Sequence, residues 1–522
     1  MDLTKKYLNT YITQFFSILL NLVSVLIVMP RLSAFHEHLG IYALANSLLS
    51  YMAYGDFGFL GAGIKYATES HARQDTRELD FVGFVTAVLF LALGLFLVCT
   101  VGFVIFYNVV KLKNVSSELA QFFNYVMMVL IIFSPVYVLR RIVQVFYSIR
   151  FEDYYLRIFF GLGSILKIIS SFILVKQDPA GVGHYFLFGN IVDLFIVILC
   201  FFFAFKRYDI SFVVFFKKVK ISKKIYEEVK HLAFASLFST FSWMIFFELD
   251  SLFLATFGNF SQIGLMAACL MLVGYLRTIM GIFFSPFSVR FNYFTGLRDY
   301  KGLSEVCVEL VNFSFPFSLF FVFSIALLTK PLLLSWLGPT YLLAVTCTVL
   351  YILSFAFSFA QYPGGMMLVS LERNKEMVIS SFIVAVVYWL GVAIFFKSLG
   401  IVAIGLFKLI CFVLMFIFYM YKIIVFTKIS FKDFLIRKIG LGSGILVILY
   451  FLDFFVERVL FKNVYKSYWM VGEIILVGAS YFFIAVLLYY LVSSDFRKTF
   501  KKIVGLLNLS YFSKKNKSLL RN

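Results

Sequence analysis

Charged side chains are scarce in this sequence, at 14% of 522 residues against about a quarter in an ordinary soluble domain. So few charges cannot cover a water-facing surface, which excludes a soluble globular protein. Cysteine is also sparse: Cys99, Cys200, Cys269, Cys307, Cys347 and Cys411 are dispersed through apolar stretches, with no C-x-x-C pair and no histidine at ligand spacing. A disulfide framework or a metal centre is therefore not expected. No G-x-x-x-x-G-K-[ST] loop occurs, so ATP hydrolysis by this chain is not expected, and neither G-x-S-x-G nor H-E-x-x-H is present. Gly440-Leu-Gly-Ser-Gly444 opens an apolar helix with no strand before it and reads as close helix packing, not as a phosphate loop.

What is present is apolar and aromatic, at 62% and 20% of the chain. The apolar residues come in runs of about 18 or more, enough to cross roughly 30 Å of hydrocarbon at about 1.5 Å per residue. Runs near residues 9–29, 39–61, 81–107, 121–145, 157–175 and 184–205 form a first set. Runs near 231–257, 261–286, 308–328, 341–370, 376–396 and 399–421 form a second, and a last pair lies near 437–459 and 468–492. The first run is too long for a signal peptide and reads as a permanent span. The expected fold is an all-α integral membrane protein of about 14 transmembrane helices.

The net charge of +20 raises the question of a nucleic-acid partner, and the placement of the cations excludes one. With the N-terminus in the cytoplasm and the spans alternating, 35 of the 47 Lys and Arg fall on the cytoplasmic side and nine outside. Lys167, Arg277 and Lys408 lie within spans. This asymmetry is the positive-inside signature, and it places both termini in the cytoplasm. The largest basic loop, with Lys217, Lys218, Lys220, Lys223 and Lys224, reads as a cytoplasmic linker over 206–230 that also touches anionic lipid head groups.

That linker separates a six-helix lobe at 1–205 from a second at 231–421, followed by an extra helix pair at 422–492 and a basic tail at 493–522. The tail mixes Ile503, Val504, Leu506 and Leu507 with lysines and predicts an amphipathic helix on the inner leaflet. An internal echo supports two pseudo-symmetric lobes. Gly40-Ile-Tyr-Ala-Leu-Ala-Asn-Ser-Leu-Leu-Ser-Tyr51 set on Gly264-Leu-Met-Ala-Ala-Cys-Leu-Met-Leu-Val-Gly-Tyr275 keeps Gly, Ala, Leu and Tyr in register.

Ionisable groups inside hydrocarbon cost about 2.5–3.5 kcal/mol each on insertion scales and mark pairs or pathways. Lys167 and Asp193 lie at similar depth on consecutive spans, which predicts an ion pair, either a static one or one that opens during transport. Arg140 and Arg141 near the inner end of the fourth span, Arg277 in the eighth and Lys408 in the twelfth add cations. Arg31 closes the first span at its outer end. A cationic cavity suits an anion whose phosphate oxygens guanidinium groups grip in pairs, so Arg277, Lys408, Arg140 and Lys167 are the candidate substrate-binding residues. Asp56, Asp193, Glu248 and Asp250 are the candidates for gating or for carrying a coupling H+ or Na+, the only cofactor expected. Pro363-Gly-Gly365 is expected to interrupt the tenth span, as a hinge or a passive kink.

Several of these residues also carry a family resemblance. Met29-Pro-Arg31, Leu39-Gly-Ile-Tyr42, Tyr54-Gly-Asp-Phe-Gly58 and Lys65-Tyr66 resemble the start of the O-antigen and capsular polysaccharide flippases. Glu248-Leu-Asp250, Gly258, Ile263-Gly264, Ser285-Pro286 and Gly296 are similar in the second half. These flippases are a branch of the multidrug, oligosaccharidyl-lipid and polysaccharide exporter superfamily. The resemblance implies a MATE-like, two-lobed bundle that exposes a cationic cavity to each side in turn. Its implied cargo is an undecaprenyl diphosphate-linked oligosaccharide repeat unit of lipopolysaccharide or capsule. Membrane lipids and other polysaccharide assembly proteins are the implied partners, and Asp56, Asp250 and Arg277 match the recurring charged sites.

Two other readings share the topology. A small-molecule exporter of the same fold would carry cations and favour an acidic cavity. A polysaccharide polymerase or ligase would need a long outside loop as a catalytic platform, and no outside loop here much exceeds a dozen residues.

Overall fold

The computed structural model describes residues 3–507 apart from 53, 74, 76, 113, 114, 177, 431, 433–437 and 463. No strand occurs among the described residues, and twelve helices are long and apolar enough to cross a bilayer. The bent pair Thr240–Phe247 and Asp250–Phe257 brings the number to 13 if the two pieces count as one span. The chain is a multi-pass, all-α membrane protein, and it divides into two compact units, Met1–Ala267 and Ala268–Asn522.

The first unit holds α1 (Leu3–Leu32), α2 (His36–Met52), α3 (Phe59–Ala72), α4 (Glu78–Val110), α5 (Ser117–Ile149), α6 (Asp153–Leu174) and α7 (Ala180–Arg207). It continues through α8 (Phe212–Lys218), α9 (Lys223–Phe247), α10 (Asp250–Phe257) and the first turns of α11 (Phe260–Gly296). Helices α4 and α5 have 33 residues each, about 50 Å at 1.5 Å per residue, so they stand well proud of the hydrocarbon. The apolar run at 39–61 is not one continuous span. Asp56 accepts a hydrogen bond at Oδ1 from the Gly58 N–H at 3.0 Å, and Phe57 and Gly58 take positive φ, which ends α2 at Met52. Helix α3 then starts afresh and packs on α4, α5 and α9.

Helices α2 and α11 approach backbone to backbone. A Cβ on Gly40 would lie 2.0 Å from the Phe260 carbonyl oxygen, and one on Gly264 would lie 2.1 Å from that of His36. The two glycines that the internal echo superposes are therefore the two that meet, each over the carbonyl four residues before the other. Small residues permit this spacing, and any side chain forces the helices apart. Gly40→Val is expected to lower stability by about 3 kcal/mol or more through overpacking, read as a fall in unfolding temperature in detergent.

The loop end carrying α3 and α8, the basic end, is closed by ion pairs. Arg77 meets Glu228 and Lys218 meets Asp80, both at 2.7 Å, Arg207 meets Glu152 at 2.8 Å, and Arg150 bonds Glu78. The Glu228 hydrogen bond holds the Arg77 guanidinium above its ordinary pKa. The stretch 206–230 is thus more than a solvated linker. Within it, α8 buries Phe215 against Phe146 and Phe205, and the Lys218 carbonyl sits where a Cβ on Gly83 would be, at 2.2 Å.

The second unit holds the rest of α11, then α12 (Tyr300–Trp336), α13 (Leu342–Ser354), α14 (Ser358–Ser370), α15 (Asn374–Leu399) and α16 (Val402–Thr427). It ends with α17 (Gly440–Val459), α18 (Tyr468–Val492) and α19 (Ser494–Leu507). Its core is aromatic: Phe283 stacks on Phe317 at 4.7 Å, and Phe284 lies parallel to Tyr362 at 4.4 Å. Pro363 does not interrupt its span as expected. Helix α14 runs through it, and the Phe359 carbonyl, which lacks a donor four residues on, accepts from the Ser314 hydroxyl at 3.4 Å. Gly364 is needed for packing, since a Cβ there would lie 2.8 Å from the Tyr419 ring. The break falls earlier, in a 3-10 turn at Phe355–Phe357.

Helix α19 lies along α12 with Phe496 and Phe500 against Phe313 and Tyr490. Lys502 bonds Glu309 on α12. The basic tail beyond Leu507 lies outside the described residues.

Candidate functional site

The expected ion pair is formed. Lys167 Nζ on α6 donates to both carboxylate oxygens of Asp193 on α7, each at 2.7 Å. The lysine stem passes Gly189, one turn before Asp193, at 3.7 Å from where a Cβ would be, an ordinary packing distance. The pair is enclosed but not sealed, with side-chain exposures of 27% and 15%. Tyr42, Tyr137 and Tyr185 stand within electrostatic reach of the Asp193 carboxylate.

Tyr137 is also within electrostatic reach of Arg140, one turn further along α5 toward the basic end. The Arg140 guanidinium lies over the Phe160 ring, 4.0 Å from its centre. Beside it opens a cavity of about 280 Å³ lined by Ser17, Arg140, Gln144, Ser148, Asp153 and Arg157. Two guanidinium groups, two hydroxyls and an amide converge there, with a single carboxylate. That donor set recognises the oxygens of a phosphate or carboxylate. Ser148 donates to Asp153 at 2.6 Å, which draws that carboxylate to one wall.

A third cluster forms where the expected seventh span breaks. Helices α9 and α10 meet at a 46° bend, and Glu248 and Asp250 flank the break. The Tyr51 hydroxyl donates to the Glu248 carbonyl at 2.7 Å, and Tyr54 donates to its carboxylate at 3.3 Å. Asp250 is fully buried and close to Tyr51. Asp56 is also buried, within electrostatic reach of Arg141, which in turn faces Tyr54. Glu248 and Asp250 are thus brought to Tyr51 and Tyr54 at the end of α2, where sequence alone placed the two stretches in separate halves, while Asp56 is within electrostatic reach of Arg141.

The remaining two candidates belong to the second unit. Arg277 on α11 lies near Tyr362 and is partly exposed. Lys408 on α16 has no exposed surface, and its ammonium sits 4.1 Å from the Tyr388 ring and 5.4 Å from that of Tyr351. Both aromatic faces contribute to holding this charge. Arg31 likewise stacks over Phe172 at 3.8 Å. Of the four candidate phosphate ligands, Arg140 is the one that lines a described cavity. Arg157, Ser17, Gln144 and Ser148 were not singled out by sequence. Arg157 counted only toward topology, although its place one turn into α6 opposite Arg140 was readable from the span boundaries.

No family model matches the chain, and no curated protein does either. Solved structures do. "Lipid II flippase MurJ, inward closed conformation" superposes with a TM-score of 0.66 at 15% identity, covering 92% of this chain and 98% of that one. The chain shares its fold. A multidrug resistance MATE family transporter of the MOP superfamily, in its inward-facing conformation, gives 0.55 at 14% identity over 79% of this chain and 99% of that one. The larger share of this chain is matched by the flippase, and both likenesses are of fold, at identities too low to carry substrate.

Proposed function

We propose that this protein is a flippase that moves an undecaprenyl diphosphate-linked oligosaccharide repeat unit from the cytoplasmic to the outer leaflet of a bacterial inner membrane. Both termini are on the cytoplasmic side in this reading, and alternation between two six-helix lobes is coupled to a proton or sodium gradient. The observation that carries it is the cavity between Arg140 and Arg157, a paired-guanidinium site at the basic end of a flippase-like fold. A diphosphate brings several oxygens and at least two negative charges, which two arginines engage with geometric specificity.

The Lys167–Asp193 pair supplies the step that follows. A proton taken by Asp193 neutralises the carboxylate and leaves Lys167 as an open cation deeper in the membrane than Arg140. The diphosphate then has a second charge to move to, and loss of the proton re-forms the pair and expels it. Tyr137, within electrostatic reach of both Arg140 and Asp193, lies on this route. Cation export by the same fold is disfavoured by the balance of the cavity, two guanidinium groups against one carboxylate that Ser148 already engages.

Binding of the lipid-linked oligosaccharide to purified protein tests the reading. Affinity is expected to fall as salt rises and to require the diphosphate, and equal binding of the undecaprenyl alcohol would refute it. The carboxylates at the bent helix give a separate prediction. Glu248→Gln or Asp56→Asn is expected to weaken the dependence of transport on the ion gradient by about tenfold or more, with binding retained. Unaltered gradient dependence in both would assign these residues to structure alone.

A further inference from the structure

The nine cations that the alternation of spans places on the sparse side are not spread evenly. Lys330, Arg458, Lys462 and Lys466 belong to one end of the second unit, where α12 runs out and α17 turns into α18. Lys330, Arg458 and Lys462 line a cavity of about 270 Å³ there, with Glu457 its one acid and Pro331, Leu334, Phe461 and Val464 its apolar wall. The wall is held in place from two sides. Phe461 is buried, and the Ser467 N–H donates to the Ser335 carbonyl at 2.9 Å, which fastens the α17–α18 turn to the end of α12. Arg458 lies against Phe454 at 4.1 Å.

The level of this cavity in the membrane can be read from its neighbours. Tyr465, Tyr468 and Trp469 are largely exposed on the same turn, next to exposed Val459 and Leu460. Amphipathic aromatic rings of this kind settle at head-group depth, and the aliphatic residues beside them face acyl chains. A net-cationic cavity with an apolar wall at that depth fits a phosphate group better than a soluble carboxylate, because lysines and an arginine bring many donors to an anion with several oxygens on one compact centre.

We propose that this cavity is a phosphate-binding site, distinct from the Arg140–Arg157 cavity, occupied by a phosphate group of an anionic lipid in the adjacent leaflet or by a free phosphate. The inference does not rest on the flippase reading. Full-length protein in detergent would be titrated with short-chain phosphatidylglycerol and, separately, with inorganic phosphate. Wild type would be compared with a Lys330→Gln/Arg458→Gln/Lys462→Gln variant and with a charge-keeping Lys330→Arg/Lys462→Arg variant. Each cation removed is expected to weaken binding roughly fivefold, so the triple variant loses on the order of a hundredfold while the charge-keeping one stays close to wild type. Binding of the lipid alone identifies a leaflet lipid as the ligand. Binding of both, with the same loss in the triple variant, identifies a free phosphate as sufficient. Unchanged affinity for both ligands in a triple variant that unfolds at the wild-type temperature would overturn the proposal.

Discussion

Lys167→Met is expected to destabilise the protein by about 3 kcal/mol, because it leaves the Asp193 carboxylate without its cation inside the membrane. The geometry sets the size: both carboxylate oxygens lie 2.7 Å from the ammonium, and the pair is mostly enclosed. Lys167→Met/Asp193→Leu should recover most of that stability, since two apolar side chains of similar volume satisfy hydrocarbon without any pairing. Transport should not recover with it. Thermal unfolding and transport of the two variants, measured in parallel, separate the two roles of the pair. If the double variant regains both stability and full transport, the pair is static and the gating step is wrong.

The second large effect is expected at the basic-end cavity. Arg140→Gln/Arg157→Gln should weaken binding of the lipid diphosphate by roughly a hundredfold, taking each lost charge-assisted hydrogen bond as about 1.5 kcal/mol at the lower end of its range. Folding should survive, because Arg140 rests on the Phe160 ring and glutamine retains part of that contact. Arg140→Lys should not rescue binding, since an ammonium neither stacks on Phe160 nor grips two oxygens in a fork. Binding that is equally strong in the double glutamine variant would remove this cavity from the transport route.

Much of this architecture was legible in the sequence because the bilayer imposes hard rules. Length of apolar runs and the side taken by cations gave the helices, and depth alone paired Lys167 with Asp193. What remained hidden lay in the breaks. The Asx turn at Asp56-Phe57-Gly58 ends α2 inside an apolar run, and hydropathy cannot see a turn made of one carboxylate and two left-handed residues. Pro363 was expected to break its helix and did not, because the Ser314 hydroxyl on another helix compensates its carbonyl. The cavity around Arg140 was half visible. Arg140 stood out by charge and depth, but Arg157, Ser17 and Gln144 come together only through the packing of α1, α5 and α6. For Lys408, depth was readable from the sequence, and the tyrosine rings beside its ammonium were not.

The two glycines of the internal echo link sequence to packing more directly than composition does. Gly40 and Gly264 each meet the other helix at the carbonyl one turn back, so the two residues that the echo aligns are also the two at the contact.

The central claim is the identity and movement of the cargo. Proteoliposomes carrying the purified protein and a fluorescent undecaprenyl diphosphate oligosaccharide, with an imposed ion gradient, report translocation as loss of the label from one leaflet. Translocation by wild type that collapses in Arg140→Gln/Arg157→Gln is the predicted result. A well-folded wild type that leaves the diphosphate lipid in place, while moving a small cation across the same membrane, would contradict it.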